Sequence, residues 1–175
     1  AVDDERQPRL LIFLRGRGGS HKDYEKHGFV ADIQKRGLPY DMRAPNAHIG
    51  YYLGRSLVQR LKADVIDPAK AAGYREVWLV GASMGGLGAL LYAKFHPGDI
   101  DGVYLISPFL GHREVISEII FAGGLAAWEP GAYDPEEDWQ IMLWDWIKNR
   151  TAADWDGTPV FLGYGEADMF VDAHM

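Results

Sequence analysis

Apolar residues along this chain gather into short solid runs, and the stretches between them change to the longer period of helices. Leu10-Leu11-Ile12-Phe13-Leu14 is apolar at every position, the pattern of an interior parallel strand buried on both faces. Similar runs recur at Val77-Trp78-Leu79-Val80, at Val103-Tyr104-Leu105-Ile106 and at Pro159-Val160-Phe161-Leu162-Gly163-Tyr164, and a shorter strand is expected from Pro39 to Met42. Residues 22–36 read as one helix, with Phe29, Val30 and Ile33 on one face and Gly37 closing it. Leu53, Leu57, Leu61 and Val65 form a stripe at spacing four, after which Asp67-Pro68 reads as an N-cap and first-turn pair for one more turn ending at Gly73. Leu87, Leu90, Leu91 and Phe95 mark another helix, stopped by His96-Pro97-Gly98. This alternation predicts the α/β class: a mostly parallel sheet of about five strands with helices on both faces, in a single domain over residues 1–175.

The rhythm breaks over residues 109–157, a helical insertion between the last two strands. Val115, Ile116, Ile119 and Ile120 make one amphipathic stretch, and beyond Asp134-Pro135 a second carries Trp139, Leu143, Trp146 and Ile147. A tryptophan-rich helix packs into a core more often than it covers a substrate, but its place in the chain keeps a lid as the other reading. Asn149-Arg150-Thr151 fits a glycosylation acceptor and is read as coincidence.

Composition narrows the partners. The 175 residues, 47% of them hydrophobic, suffice for one domain with a real core. A net charge of −7 without a Lys/Arg cluster argues against nucleic acid. With no cysteine there is neither a disulfide framework nor a thiolate metal site, and no pair of histidines stands at ligand spacing with a carboxylate, so no metal and no cofactor are expected. No run approaches a membrane span, and the first six residues lack the basic and apolar parts of a signal peptide. A cytoplasmic protein is the expectation, with periplasmic or secreted locations open because the chain begins at Ala1.

Candidate chemistry centres on Gly81-Ala82-Ser83-Met84-Gly85, which follows a strand and opens a helix. That context makes Gly-x-Ser-x-Gly a nucleophile elbow: the serine sits at a strained corner, flanking glycines let the backbone pass closely, and the amides of the new helix face a developing oxyanion. Met84 N–H is the natural first donor. Arg15-Gly16-Arg17-Gly18-Gly19-Ser20, at the end of the first strand, is a second glycine-rich loop. It does not fit a phosphate-binding P-loop, because Gly-x-x-x-x-Gly-Lys-Ser/Thr cannot be laid on Gly16 to Lys22. Dinucleotide binding at Gly81 to Gly86 is disfavoured, since Ser83 stands where the middle glycine is needed and no acid ends the next strand. Beyond the last strand, Asp168 is the favoured carboxylate, with Glu166 and Asp172 as rivals.

With these stretches together, the chain resembles the α/β-hydrolases, and small carboxylesterases are the nearest general type. The resemblance implies that Ser83 is the nucleophile, Asp168 the acid, and the backbone N–H of Arg17 the second oxyanion donor beside Met84. The implied substrate is a small molecule with an ester or other acyl group, attacked through an acyl-serine intermediate. Arg15 stands where the family usually has histidine. The triad histidine should follow the acid, on a loop after one further strand, yet the histidine that follows Asp168 in these residues is His174, only six positions on. His112 and His174 are weak substitutes, and the expectation is that the last strand, its histidine loop and a terminal helix lie outside these residues. The alternative is a hydrolase-like binding module without catalysis. A sheet edge left uncovered in this way would also suit pairing into a homodimer.

Overall fold

The computed structural model describes residues 7–150, 158–168 and 171–174. Five strands form one sheet in the order β2-β1-β3-β4-β5: β1 (Arg9–Leu14), β2 (Tyr40–Arg43), β3 (Glu76–Ala82), β4 (Gly102–Ile106) and β5 (Val160–Gly163). Every neighbouring pair is parallel. The α/β class and parallel sheet expected from the apolar runs are therefore what the chain adopts.

Alternation along β1 divides the interior in two, because successive side chains of a strand leave opposite faces. Leu10, Ile12 and Leu14 join the larger core, which includes Leu79, Leu90, Tyr92 and Val103. Leu11 and Phe13 join Tyr24 and Val80 in a smaller one on the other face. That second face carries an aromatic row, with Trp78 and Phe161 stacked on either side of Tyr104 at centroid separations of 5.4 and 5.0 Å. Phe161, on the edge strand β5, remains half-exposed.

Helices connect the strands. The expected helix over residues 22–36 is two, α1 (Asp23–Lys26) and α2 (Phe29–Lys35), because Gly28 takes φ 86° and turns the chain between them. The stripe at spacing four is likewise interrupted: α3 (Ile49–Leu53) ends before Gly54, Arg55 has φ 51°, and Leu53 is left 78% exposed. Beyond it α4 (Leu57–Leu61), a π-helical turn (Lys62–Ile66) and α5 (Asp67–Ala71) follow without a break. The turn expected from Asp67-Pro68 is thus present as α5, with Asp67 its first residue rather than a cap outside it, and the Asp67 carboxylate accepts from Lys62 Nζ at 2.8 Å. The next helix, α6 (Met84–Phe95), is buried along most of its length, including Gly85, Gly86 and Gly88. At its far end Asp99 accepts bonds from Lys62, Lys70 and Tyr92, which ties three segments together.

Between β4 and β5 lie α7 (Arg113–Phe121) and α8 (Trp139–Lys148). Leu143 and Trp144 are buried in the larger core, and Trp139 and Trp146 pack against it, so α8 contributes to the main packing of the domain. Trp128 is buried between the two helices in sequence and donates its indole N–H to Glu118 at 2.8 Å. Among the described residues no helix is long and apolar enough to cross a membrane.

Candidate active site

Ser83 lies between the end of β3 and the first residue of α6, with φ 50° and ψ −117°. A side-chain-bearing residue in that region costs about 1–3 kcal/mol, and such strain persists only where neighbours hold it. The holding contacts are backbone against backbone. A Cβ on Gly81 would lie 2.2 Å from Gly85 O, and one on Gly85 would lie 2.0 Å from Leu14 O. Neither position admits a side chain without movement of the sheet or the helix.

Two further bonds clamp Ser83 to the segment after β4. Its N–H donates to Ile106 O at 3.0 Å, and its carbonyl accepts from Phe109 N–H at 2.9 Å. Between those partners Ser107 also has positive φ, 42°, and Pro108 presses on Gly86, whose added Cβ would lie 2.6 Å from the proline ring. The Ser83 carbonyl also accepts the N–H groups of Gly86 and Leu87, at 2.9 and 3.4 Å. The amides of Met84 and Gly85 precede that bonded pair at the positive end of the helix.

The loop after β1 arrives at the same place. A Cβ on Gly16 would stand 3.5 Å from Ser83 Cβ and 3.5 Å from Ala82 O, so the Arg15-Gly16-Arg17 backbone runs directly beside the serine. Its far end is fixed by Asp23, whose carboxylate accepts Ser20 N–H at 2.7 Å, and by a bond from Gly19 N–H to Gly16 O at 3.2 Å. Tyr24 anchors the strand end from the other face, its hydroxyl donating to Leu14 O at 2.9 Å. Burial pushes the Tyr24 phenol well above its ordinary range, so it stays protonated and able to donate.

Asp168 is half-buried in the turn that follows β5, where its N–H donates to Gly165 O at 3.0 Å. Since β3 and β5 flank β4, Ser83 and Asp168 leave the same edge of the sheet from strands roughly 10 Å apart. The rival acids Glu166 and Asp172 are exposed. His174 is buried, with Nε2 3.0 Å from Pro108 O and its ring 5.1 Å from that of Tyr164. His112 is exposed at the start of α7, against Phe109 with ring centroids 5.5 Å apart. Among the described residues no histidine ring is hydrogen-bonded to the Ser83 hydroxyl. Nor does any group of three metal-ligating side chains occur among them.

A strained serine at the C-terminal edge of a parallel sheet, with a glycine loop alongside, defines the class. The chain belongs to the Esterase family: the family model described as "Putative esterase" matches residues 3–175. That membership, with the fold, makes it an α/β-hydrolase of the esterase type. Among solved structures it is similar to Est1E from Butyrivibrio proteoclasticus, at 20% identity and TM-score 0.56, covering 98% of this chain and 74% of that one. It is also similar to a ferulic acid esterase, at 16% identity and TM-score 0.59 over 93% and 68% of the two chains. A predicted CIB-like hydrolase from Thermoplasma acidophilum shares 14% identity with TM-score 0.51 over 98% and 82%. At such identities these likenesses establish the fold. No curated protein matches the sequence.

Proposed function

We propose that this protein is a serine esterase that cleaves small ester substrates through an acyl-Ser83 intermediate. The observation that carries this reading is the strained backbone of Ser83 at the strand-to-helix corner with the Gly16 loop packed against it. In the proposed reaction the Ser83 oxygen adds to the ester carbonyl, the N–H groups of Arg17 and Met84 stabilise the resulting oxyanion, and the alcohol departs with a proton. Water then repeats the attack and releases the acid. Asp168 serves as the carboxylate that orients the base, a histidine, which takes the proton from Ser83. The roughly two-strand separation of Asp168 and Ser83 leaves room for one imidazole between them.

The test is covalent labelling by a fluorophosphonate together with hydrolysis of short-chain esters. The expected result is that the protein labels once and Ser83→Ala neither labels nor turns over substrate. Undiminished labelling of Ser83→Ala would refute the assignment. A second reading, a binding module without catalysis, draws on His174, whose Nε2 faces the Pro108 carbonyl. It predicts ester binding with no labelling of Ser83 at all.

A further inference from the structure

Arg15 and Arg17 flank Gly16, the residue packed against Ser83, and neither guanidinium meets a carboxylate among the described residues. Arg9, Arg55 and Arg60, by contrast, each have an acidic partner. The nearest acid along the loop, Asp23, is occupied with the Ser20 amide. Arg15 is half-buried, and its Nε is shielded from solvent without a hydrogen-bond partner. The Tyr52 hydroxyl is in the same condition, buried and unpartnered. It sits against α6 one turn beyond Ser83, 2.5 Å from where a Cβ on Gly88 would be.

Arg15 O would lie 2.9 Å from a Cβ on Gly85, and the Tyr52 hydroxyl meets Gly88 about one turn further along α6, so the two residues flank the same end of that helix. Burial raises the Tyr52 phenol above its ordinary range, and it stays a donor. Two buried donors with nothing to bond are costly, and a shared acceptor would satisfy both. An oxyanion in the reaction is already served by backbone amides. The side chains are left for a different part of the substrate.

We propose that Arg15 and the Tyr52 hydroxyl form an anion-binding subsite beside Ser83, so that the preferred substrates are esters whose acyl portion carries a second, free carboxylate. The proposal rests on the serine-esterase reading for the site it serves. The guanidinium offers the planar pair of donors that a carboxylate accepts, the phenol supplies a further one, and exposed Arg17 adds positive potential at the entrance. An acyl chain with three methylenes between the groups spans about 5 Å, within the combined reach of Ser83 and the arginine side chain.

The experiment compares monoethyl glutarate with ethyl valerate, which has the same ester and chain length and a methyl in place of the carboxylate. The parent should hydrolyse the glutarate ester with kcat/KM about tenfold higher, expressed in KM. Arg15→Gln should bring the ratio close to one, and Arg15→Lys should restore part of it. Tyr52→Phe, which removes only an unpartnered hydroxyl and should fold at least as well as the parent, should lower the ratio severalfold. Equal kcat/KM for the two esters in the parent, or an unchanged ratio in both Arg15→Gln and Tyr52→Phe, overturns the subsite. Equilibrium binding of the same two compounds to Ser83→Ala separates the two ideas. Preferential binding of the glutarate ester that Arg15→Gln abolishes upholds the subsite even where no turnover is seen, whereas equal binding sinks it.

Discussion

Gly85→Ala sets two effects of opposite sign against each other. In a helix alanine is favoured over glycine by about 1 kcal/mol, and α6 carries glycine at 85, 86 and 88, so propensity alone would make each replacement stabilising. Contact geometry says otherwise. The new Cβ would stand 2.0 Å from Leu14 O, 2.5 Å from Leu14 C and 2.9 Å from Arg15 O. An ordinary carbon–oxygen contact is about 3.3 Å, so α6 and the end of β1 must separate by more than about 1 Å. That strand is paired on both sides, to β2 and to β3, and cannot retreat alone. Overpacking against backbone costs about 3 kcal/mol, which outweighs the propensity gain and leaves a net loss of about 2 kcal/mol or more. In urea unfolding followed by tryptophan fluorescence, the midpoint should fall by about 1 M at unchanged slope. Gly88→Ala provides the comparison, since its Cβ would meet the ends of two side chains, Tyr52 Oη at 2.5 Å and Leu57 Cδ2 at 2.8 Å, which can rotate away. It should shift the midpoint much less. A Gly85→Ala midpoint equal to or above that of the parent would refute the reasoning.

Burial disfavours the charge of Asp99, but bonds from Lys70, Tyr92 and Lys62 outweigh it and hold the carboxyl at about 2, below the ordinary 3.8. The native state thus favours the ionised form, its contribution is complete above pH 3.8, and it is lost as pH falls towards 2. Allowing for solvent screening, denaturation across that window should show about 1 kcal/mol of lost stability, and Asp99→Asn should flatten this part of the profile. The hydrogen bond of 2.7 Å to Asp145 and partial burial push the Tyr133 phenol up to about 12, so ultraviolet titration should place Tyr133 among the late-ionising tyrosines. In Asp145→Asn that tyrosine should move back towards 10, and an unmoved titration curve would disprove the coupling.

The sheet was readable because a strand buried on both faces must be apolar throughout, and Leu10 to Leu14 are all buried as that pattern requires. Helix boundaries were less readable where periodicity runs through a glycine. The stripe from Leu53 to Leu57 spans Gly54 without interruption in spacing, yet the chain turns there and leaves Leu53 in solvent. Likewise the apolar face of residues 22–36 hides the reversal at Gly28. In the candidate site, Gly16, Gly81 and Gly85 were legible because close backbone approach demands glycine. The bonds from Ser83 to Ile106 and Phe109 were not, since backbone partners leave no side-chain signature; Pro108 after the strand was the one cue. Tyr52 was hidden for another reason. Its position in the apolar segment marks it as core, and only the structure exposes a buried hydroxyl with no partner against Gly88 of α6.

The bond from Phe109 N–H to Ser83 O joins the first residues of the 109–150 segment to the backbone of the serine itself. Phe109 also carries Trp139 against its ring at 6.2 Å and His112 at 5.5 Å, so it is a pivot shared by α7, α8 and the strand-to-helix turn at Ser83. A change in how these helices pack therefore reaches Ser83 as a tug on its own peptide, with no intervening side chain to absorb it. If Ser83 is the nucleophile, as proposed, directed variation of the helices retunes its reactivity from positions that never touch a substrate.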